Sequence, residues 1–111
     1  MGTKPIIHIV ATQCQPEVQE KYRTWADEIH VPMLLKFNGI KGITRYERIT
    51  KNAEYPLNLF IWEFDSQNAF EEYETSPELA AAREDVLATW KNGGLEPKWR
   101  VQYEPMKTWG K

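Results

Sequence analysis

Cysteine is almost absent from this sequence. Cys14 is the one thiol in 111 residues, which excludes an intrachain disulfide and any multi-cysteine metal site and fits a reducing compartment. Histidine is nearly as scarce: His8 and His30 stand alone, with no neighbouring cluster of His, Asp and Glu at metal-ligand spacing. No glycine-rich loop supports nucleotide binding, and Gly93-Gly94 after Asn92 is a helix stop. No stretch approaches the ~20 apolar residues of a membrane span, and Met1 to Lys4 is too short and polar for a signal peptide. Charge of one sign is missing as well. The net charge of -2 comes from interspersed acids and bases, which argues against a nucleic-acid or anionic-membrane surface. These absences predict a cytoplasmic protein with no metal, no cofactor, no nucleic acid and no membrane among its partners.

A chain of this length makes one domain over residues 1–111 with a single core, and it leaves enough surface exposed that a second subunit would usefully cover some of it. The strongest signal is Leu57 to Phe64, apolar at nearly every position and therefore a strand buried on both faces. One alternation carries Leu57, Leu59 and Ile61 and ends in Glu63; the other carries Asn58, Phe60, Trp62 and Phe64. This asymmetry suggests helices on the aliphatic side and a cavity or partner on the aromatic side.

The remaining elements follow in order. Pro5 to Thr12 is rich in β-branched residues and reads as a first strand with His8 at its middle. Pro16 and Glu17 suit a helix start, and Val18, Tyr22, Trp25, Ile29 and Met33 recur on one helical face. Pro32 predicts a kink or restart near His30. Ile40 to Ile49 alternates as a half-exposed strand. Asp65 or Ser66, and then Ser76-Pro77-Glu78, cap two further helical segments. Lys98 to Glu104 alternates Trp99, Val101 and Tyr103 with polar residues, a strand with one wet face, and the tail after it carries Met106 and Trp109, which fits a segment wrapping onto a partner. The order is strand, helix, strand, strand, helix, strand: an α+β, ferredoxin-like βαββαβ domain with both helices on one face of an antiparallel sheet. The uncovered face requires its own cover, which two copies packed sheet against sheet would supply.

Trp25, His30-Val31-Pro32, Asn38-Gly39-Ile40, Arg45-Tyr46, Phe64, Ser66, Phe70 and Ser76-Pro77 together resemble the dimeric α+β barrel superfamily, most of all its EthD-type branch. The resemblance implies a homodimer whose sheets enclose a barrel, and a small-molecule pocket. It also implies a range of activities that fold alone does not choose among: cofactor-independent monooxygenases acting on aromatic polyketides, cyclases, isomerases and haem-degrading enzymes.

Individual residues carry the candidate chemistry. His8 shares its alternation with Ile6 and Val10, is placed toward the aromatic side of the central strand, and could act as a general base near neutral pH; a core histidine bonded to a neighbour is the alternative. Tyr46 and Arg48 share a strand face and could donate to an enolate or phenolate. Asn58, Phe60, Trp62 and His30 are the candidate ligand-binding residues, the aromatics stacking a flat hydrophobic molecule or filling the core. Two functions remain open: a cofactor-free monooxygenase, cyclase or isomerase with a histidine base, or a non-catalytic dimeric binding protein.

Overall fold

The computed structural model describes residues 4–111. Four strands form one antiparallel sheet in the order β2-β3-β1-β4, with β1 at Ile6–Cys14, β2 at Ile40–Glu47, β3 at Asn58–Phe64 and β4 at Leu95–Tyr103. The helical segments are a 3-10 turn at Pro16–Val18, α1 at Gln19–Trp25, a π-helical turn at Ala26–His30, α2 at Val31–Leu34, α3 at Gln67–Glu74 and α4 at Pro77–Thr89. This is the ferredoxin-like βαββαβ arrangement expected above.

The predicted kink is present as the π turn. Pro32 has no N–H to give to the carbonyl four residues earlier and its ring crowds that carbonyl, so the helix widens over Ala26–His30 before resuming in α2. The widening turns His30 inward against Trp25, whose ring it stacks on at 4.5 Å between centroids.

The sidedness of the sheet corrects the expectation from β3. His8 pairs with Trp62 and Val10 with Phe60, and Phe60, Trp62 and Phe64 lie in one buried core cluster with Tyr22, Trp25, Phe70, Tyr73 and Trp90 from the helices. The helices therefore cover the aromatic face. The aliphatic face is the open one: Ile7, Ile9, Leu59 and Ile61 are only half-buried, and Tyr103 opposite Ile7, Tyr46 opposite Leu59 and Trp99 opposite Ala11 are about half exposed. The physical reason lies in the polar members of each set. Asn58 is fully buried because Gln19 Nε2 donates to its Oδ1 at 2.8 Å, so it belongs beneath α1. Glu63 has no such partner among the described residues and sits exposed on the other side.

Two bulges adjust the sheet. Pairing slips between Ala11 and Thr12 along β4, leaving Lys98 as the extra residue, and between Ile40 and Gly42 along β3, leaving Lys41. Both helix starts after β3 are capped as the sequence indicates. Ser66 accepts from Ala69 N, and Ser76 accepts from Leu79 N at 3.1 Å while donating to Tyr73 O at 2.7 Å. Replacing buried Ser76 with Ala removes a cap worth about 1 kcal/mol and leaves a backbone N–H unpaired. We expect the Ser76→Ala thermal midpoint to fall by roughly 4–8 °C; an unchanged midpoint would show that water replaces the cap fully.

Candidate functional site

The strand alternation that directs the aromatics under the helices also builds a cleft. His8 and Val10 from β1, Trp62 from β3, and Pro97 and Arg100 from β4 form its floor. His30 and Leu34 from the first helical layer and Leu79, Arg83 and Val86 from α4 form its walls, with Tyr73 at one end. Leu79, Arg83 and Val86 share a helix face because they are spaced by four and three residues. The cleft is partly open to solvent and its volume is about 250 Å³, a little below the ~300–1,000 Å³ of drug-sized ligand sites. A molecule of one or two fused rings suits it.

Polar atoms without partners are concentrated here. Among the described residues, the buried side-chain nitrogens that make no hydrogen bond are His30 Nδ1, Trp62 Nε1 and Trp90 Nε1. Two of these three residues line the cleft. Leaving a buried donor or acceptor unpaired costs ~1–3 kcal/mol; for Trp62 the nearby Tyr73 hydroxyl offsets part of it.

Both histidines are held neutral. His8 is 2 % exposed, and burial, helped by the positive charge of Arg100, lowers its pKa from 6.5 to about 4. Its ring lies 4.9 Å from that of Trp62 and 5.0 Å from that of Phe70, between centroids. His8 Nδ1 meets the Gln102 side-chain amide at 2.9 Å, and the orientation of that amide decides what His8 can do. With the Gln102 nitrogen donating, Nδ1 accepts and Nε2 carries the proton. With the amide turned, Nδ1–H donates to the Gln102 oxygen and Nε2 keeps a free lone pair able to take a proton. His30 is lowered to about 4 by burial, against an opposing pull from Asp85. Burial raises the Tyr73 phenol far above its usual range, while the charges of Arg100 and Arg83 and the nearby Trp62 N–H pull the other way; Tyr73 borders the cleft as a neutral hydroxyl.

The residues singled out from sequence divide into three groups. His8, His30 and Trp62 meet in the cleft, and Phe60 lies just behind, its ring 5.4 Å from Trp62 and 6.3 Å from His30. Asn58 is elsewhere, in a buried network with Gln19 and Cys14 in which the Cys14 thiol donates to Gln19 Oε1 at 2.7 Å. Burial pushes the thiol pKa up, so Cys14 stays protonated there. Tyr46 and Arg48 are not brought to His8. Tyr46 pairs with Leu59 on the open face, and the Arg48 guanidinium is spent on the carbonyls of Thr50 and Tyr55 in the loop before β3. Arg45 and Glu47, on the helix side of β2, join Arg23 and Asp27 in an ion-pair network that ties α1 to the sheet.

Sequence reasoning missed Arg83, Arg100, Gln102 and Tyr73. Arg100 and Gln102 alternate with Trp99, Val101 and Tyr103, so a polar face on β4 was visible; that it borders a cleft rather than bulk water follows from β4 being the sheet edge where helix cover runs out. Among the described residues no group of three or more His, Cys, Asp or Glu side chains could hold a metal ion, and no helix is long and apolar enough to cross a membrane.

The fold is shared with solved structures at low sequence identity. An EthD family protein from Bacillus halodurans is 14% identical over 91% of this chain and 99% of its own, with a TM-score of 0.67. A variant of SnoaB, a cofactor-independent oxygenase from Streptomyces nogalater, is 10% identical over 95% of this chain and 96% of its own, with a TM-score of 0.66. A dimeric ferredoxin-like protein of unknown function from Jannaschia sp. CCS1 is 18% identical over 91% of this chain and 99% of its own, with a TM-score of 0.64. The likeness to the EthD-type branch thus holds at the level of the ferredoxin-like fold. No curated protein matches the sequence. One family model does, over residues 5–102, and the chain belongs to the family it describes, a domain of unknown function, DUF4286.

Proposed function

We propose that residues 1–111 act as one cytoplasmic domain that pairs with a second copy through the open sheet face and binds a small hydrophobic, aromatic molecule in the cleft under the helices. The observation that carries this reading is a cleft lined by the rings of His8, His30, Trp62 and Tyr73, of which His30 and Trp62 hold buried nitrogens without a full hydrogen bond. The donor and the ring nitrogen would meet an oxygen substituent on a flat ligand. The dimeric relative from Jannaschia and the half-exposed apolar face support the pairing.

The activity we propose is cofactor-independent monooxygenation, cyclisation or isomerisation. These share a first step, removal of a proton from an activated carbon or a phenol, and His8 Nε2 would take it once Gln102 accepts from Nδ1. Trp62 N–H would donate to the oxygen that gains charge. The roles first assigned to Tyr46 and Arg48 have no such geometry within one subunit: Tyr46 pairs with Leu59 on the face opposite to His8, and the Arg48 guanidinium is bound to the carbonyls of Thr50 and Tyr55. A non-catalytic binding protein is the second reading, favoured by one observation: an imidazole whose pKa is about 4 is a weak base.

Anthrone, an aromatic ketone with an acidic carbon-bound hydrogen, tests both. We expect it to quench tryptophan fluorescence in the native protein and not in Val86→Trp, whose added ring fills the cleft. Catalysis would show as deuterium exchange into bound anthrone, or oxygen uptake by it, that His8→Ala abolishes. Binding without exchange or uptake assigns the non-catalytic reading, and equal binding by Val86→Trp refutes the site.

A further inference from the structure

The mouth of the cleft carries two arginines from elements far apart in sequence, Arg83 on α4 and Arg100 on β4. Arg100 is partly offset by Glu74, 3.1 Å from its guanidinium. Arg83 has no carboxylate within ion-pair distance among the described residues, and its own helix offers none, because the positions three and four residues away are Leu79, Ala80, Val86 and Leu87. One cation on this rim is thus unpaired and a second is half-paired. Both fields reach inward, acting on the Tyr73 phenol, and that of Arg100 also reaches His8.

Behind this rim the cleft turns apolar and aromatic, and at its floor the Trp62 N–H, on a side chain 4 % exposed, makes no full hydrogen bond, with the Tyr73 hydroxyl close to it. A purely hydrophobic guest would leave the rim charges and the indole N–H unused. A guest with polar groups at opposite ends would satisfy both. We infer that the ligand is an aromatic carboxylic acid, its carboxylate held between Arg83 and Arg100 and an oxygen substituent on its far ring accepting from Trp62 Nε1. This rests on the reading of the cleft as an aromatic-ligand site and adds the charge and polarity of the ligand. The planar guanidinium is the side chain best matched to a carboxylate, through two parallel N–H donors.

The test compares 6-hydroxy-2-naphthoate with its neutral carboxamide, a probe of nearly the same shape, by calorimetry on the full chain. The acid is expected to bind about tenfold or more tightly than the amide. Arg83→Gln, an exposed helix position whose loss disturbs no packing, should weaken the acid roughly five- to tenfold and leave the amide unchanged; Arg83→Lys should restore part of the loss by charge alone. The acid's advantage should also shrink between low and high salt. Equal affinity for the two probes, or an equal loss for both in Arg83→Gln, would overturn the inference while leaving an aromatic site intact. Binding of neither probe would overturn both readings together.

Discussion

Between pH 7 and pH 4 the protein is expected to lose about 5 kcal/mol of folding stability, and the cause is two histidines that must be charged on unfolding. His8 and His30 both have native pKa values of about 4 against 6.5 for the free side chain. Where the native pKa of a base lies below the unfolded one, the unfolded chain binds more protons between the two values. Stability is then full above the unfolded pKa and falls as pH drops through the window from 6.5 toward 4. At ~1.4 kcal/mol per unit, His8 alone accounts for about 3 kcal/mol. His30 adds somewhat less, being half-buried with only its Nδ1 fully enclosed. Against a total of ~5–15 kcal/mol for a domain, this brings the protein near its unfolding threshold by pH 4.

A second window lies below the first. Glu47 is held at about 2 by hydrogen bonds from Arg23 and Arg45, so its contribution is intact above 4.5 and lost as pH falls through 2. Urea unfolding at pH 7, 5.5, 4 and 2 separates the two. His8→Gln, which cannot titrate, should flatten the upper window by about half. If stability is level from pH 7 to 5 and falls only below 4.5, the histidines are not held neutral in the native state.

The difference between what the sequence reveals and what it conceals follows from how β3 is covered. Its existence, its length and its central place are plain, because eight consecutive positions from Leu57 to Phe64 are almost all apolar. Which face meets the helices is not, since a strand covered on one side by helices and on the other by a second subunit is apolar on both, and apolarity cannot rank the two. The deciding information is carried by polar residues whose partners are distant in sequence. Asn58 is buried because Gln19 reaches it, 39 positions away. The same holds for the cleft. His8, His30 and Trp62 could be chosen by residue type, but the arginines on its rim read as ordinary surface charge, because nothing local to Arg83 or Arg100 reports that α4 and β4 leave a gap between them. The cleft also corrects the pairing of His8 with Tyr46 and Arg48. Sequence alternation groups Tyr46 with Arg48, but β2 ends at Glu47, and the pairing of Tyr46 with Leu59 shows that Tyr46 lies on the face opposite to His8.

Ile61→Asp is expected to dissociate the proposed dimer by at least about a hundredfold while leaving each subunit folded. Ile61 lies mid-strand on the open face, flanked by Ile9 on β1 and Thr44 on β2. Leu59, Val101 and the half-exposed rings of Tyr46, Trp99 and Tyr103 continue the apolar surface around it. That much contiguous apolar surface on a sheet is an interface in waiting. The only acid that β3 presents there is Glu63, at the strand end, where it can stay wet. A carboxylate at Ile61 would have to be buried without a counter-ion, which costs several kcal/mol in the dimer and far less in the monomer, where the position is half-exposed. The penalty therefore falls on association more than on folding. Leu87→Asp provides the contrast: Leu87 is 73 % exposed on α4, on the far side of the molecule, and its replacement should leave the subunit count unchanged. Sedimentation of the three proteins across a concentration series reads all of this directly. A dimer that survives Ile61→Asp but not Leu87→Asp would move the interface to the helices, and the cleft beneath them would then be shared between subunits rather than built by one.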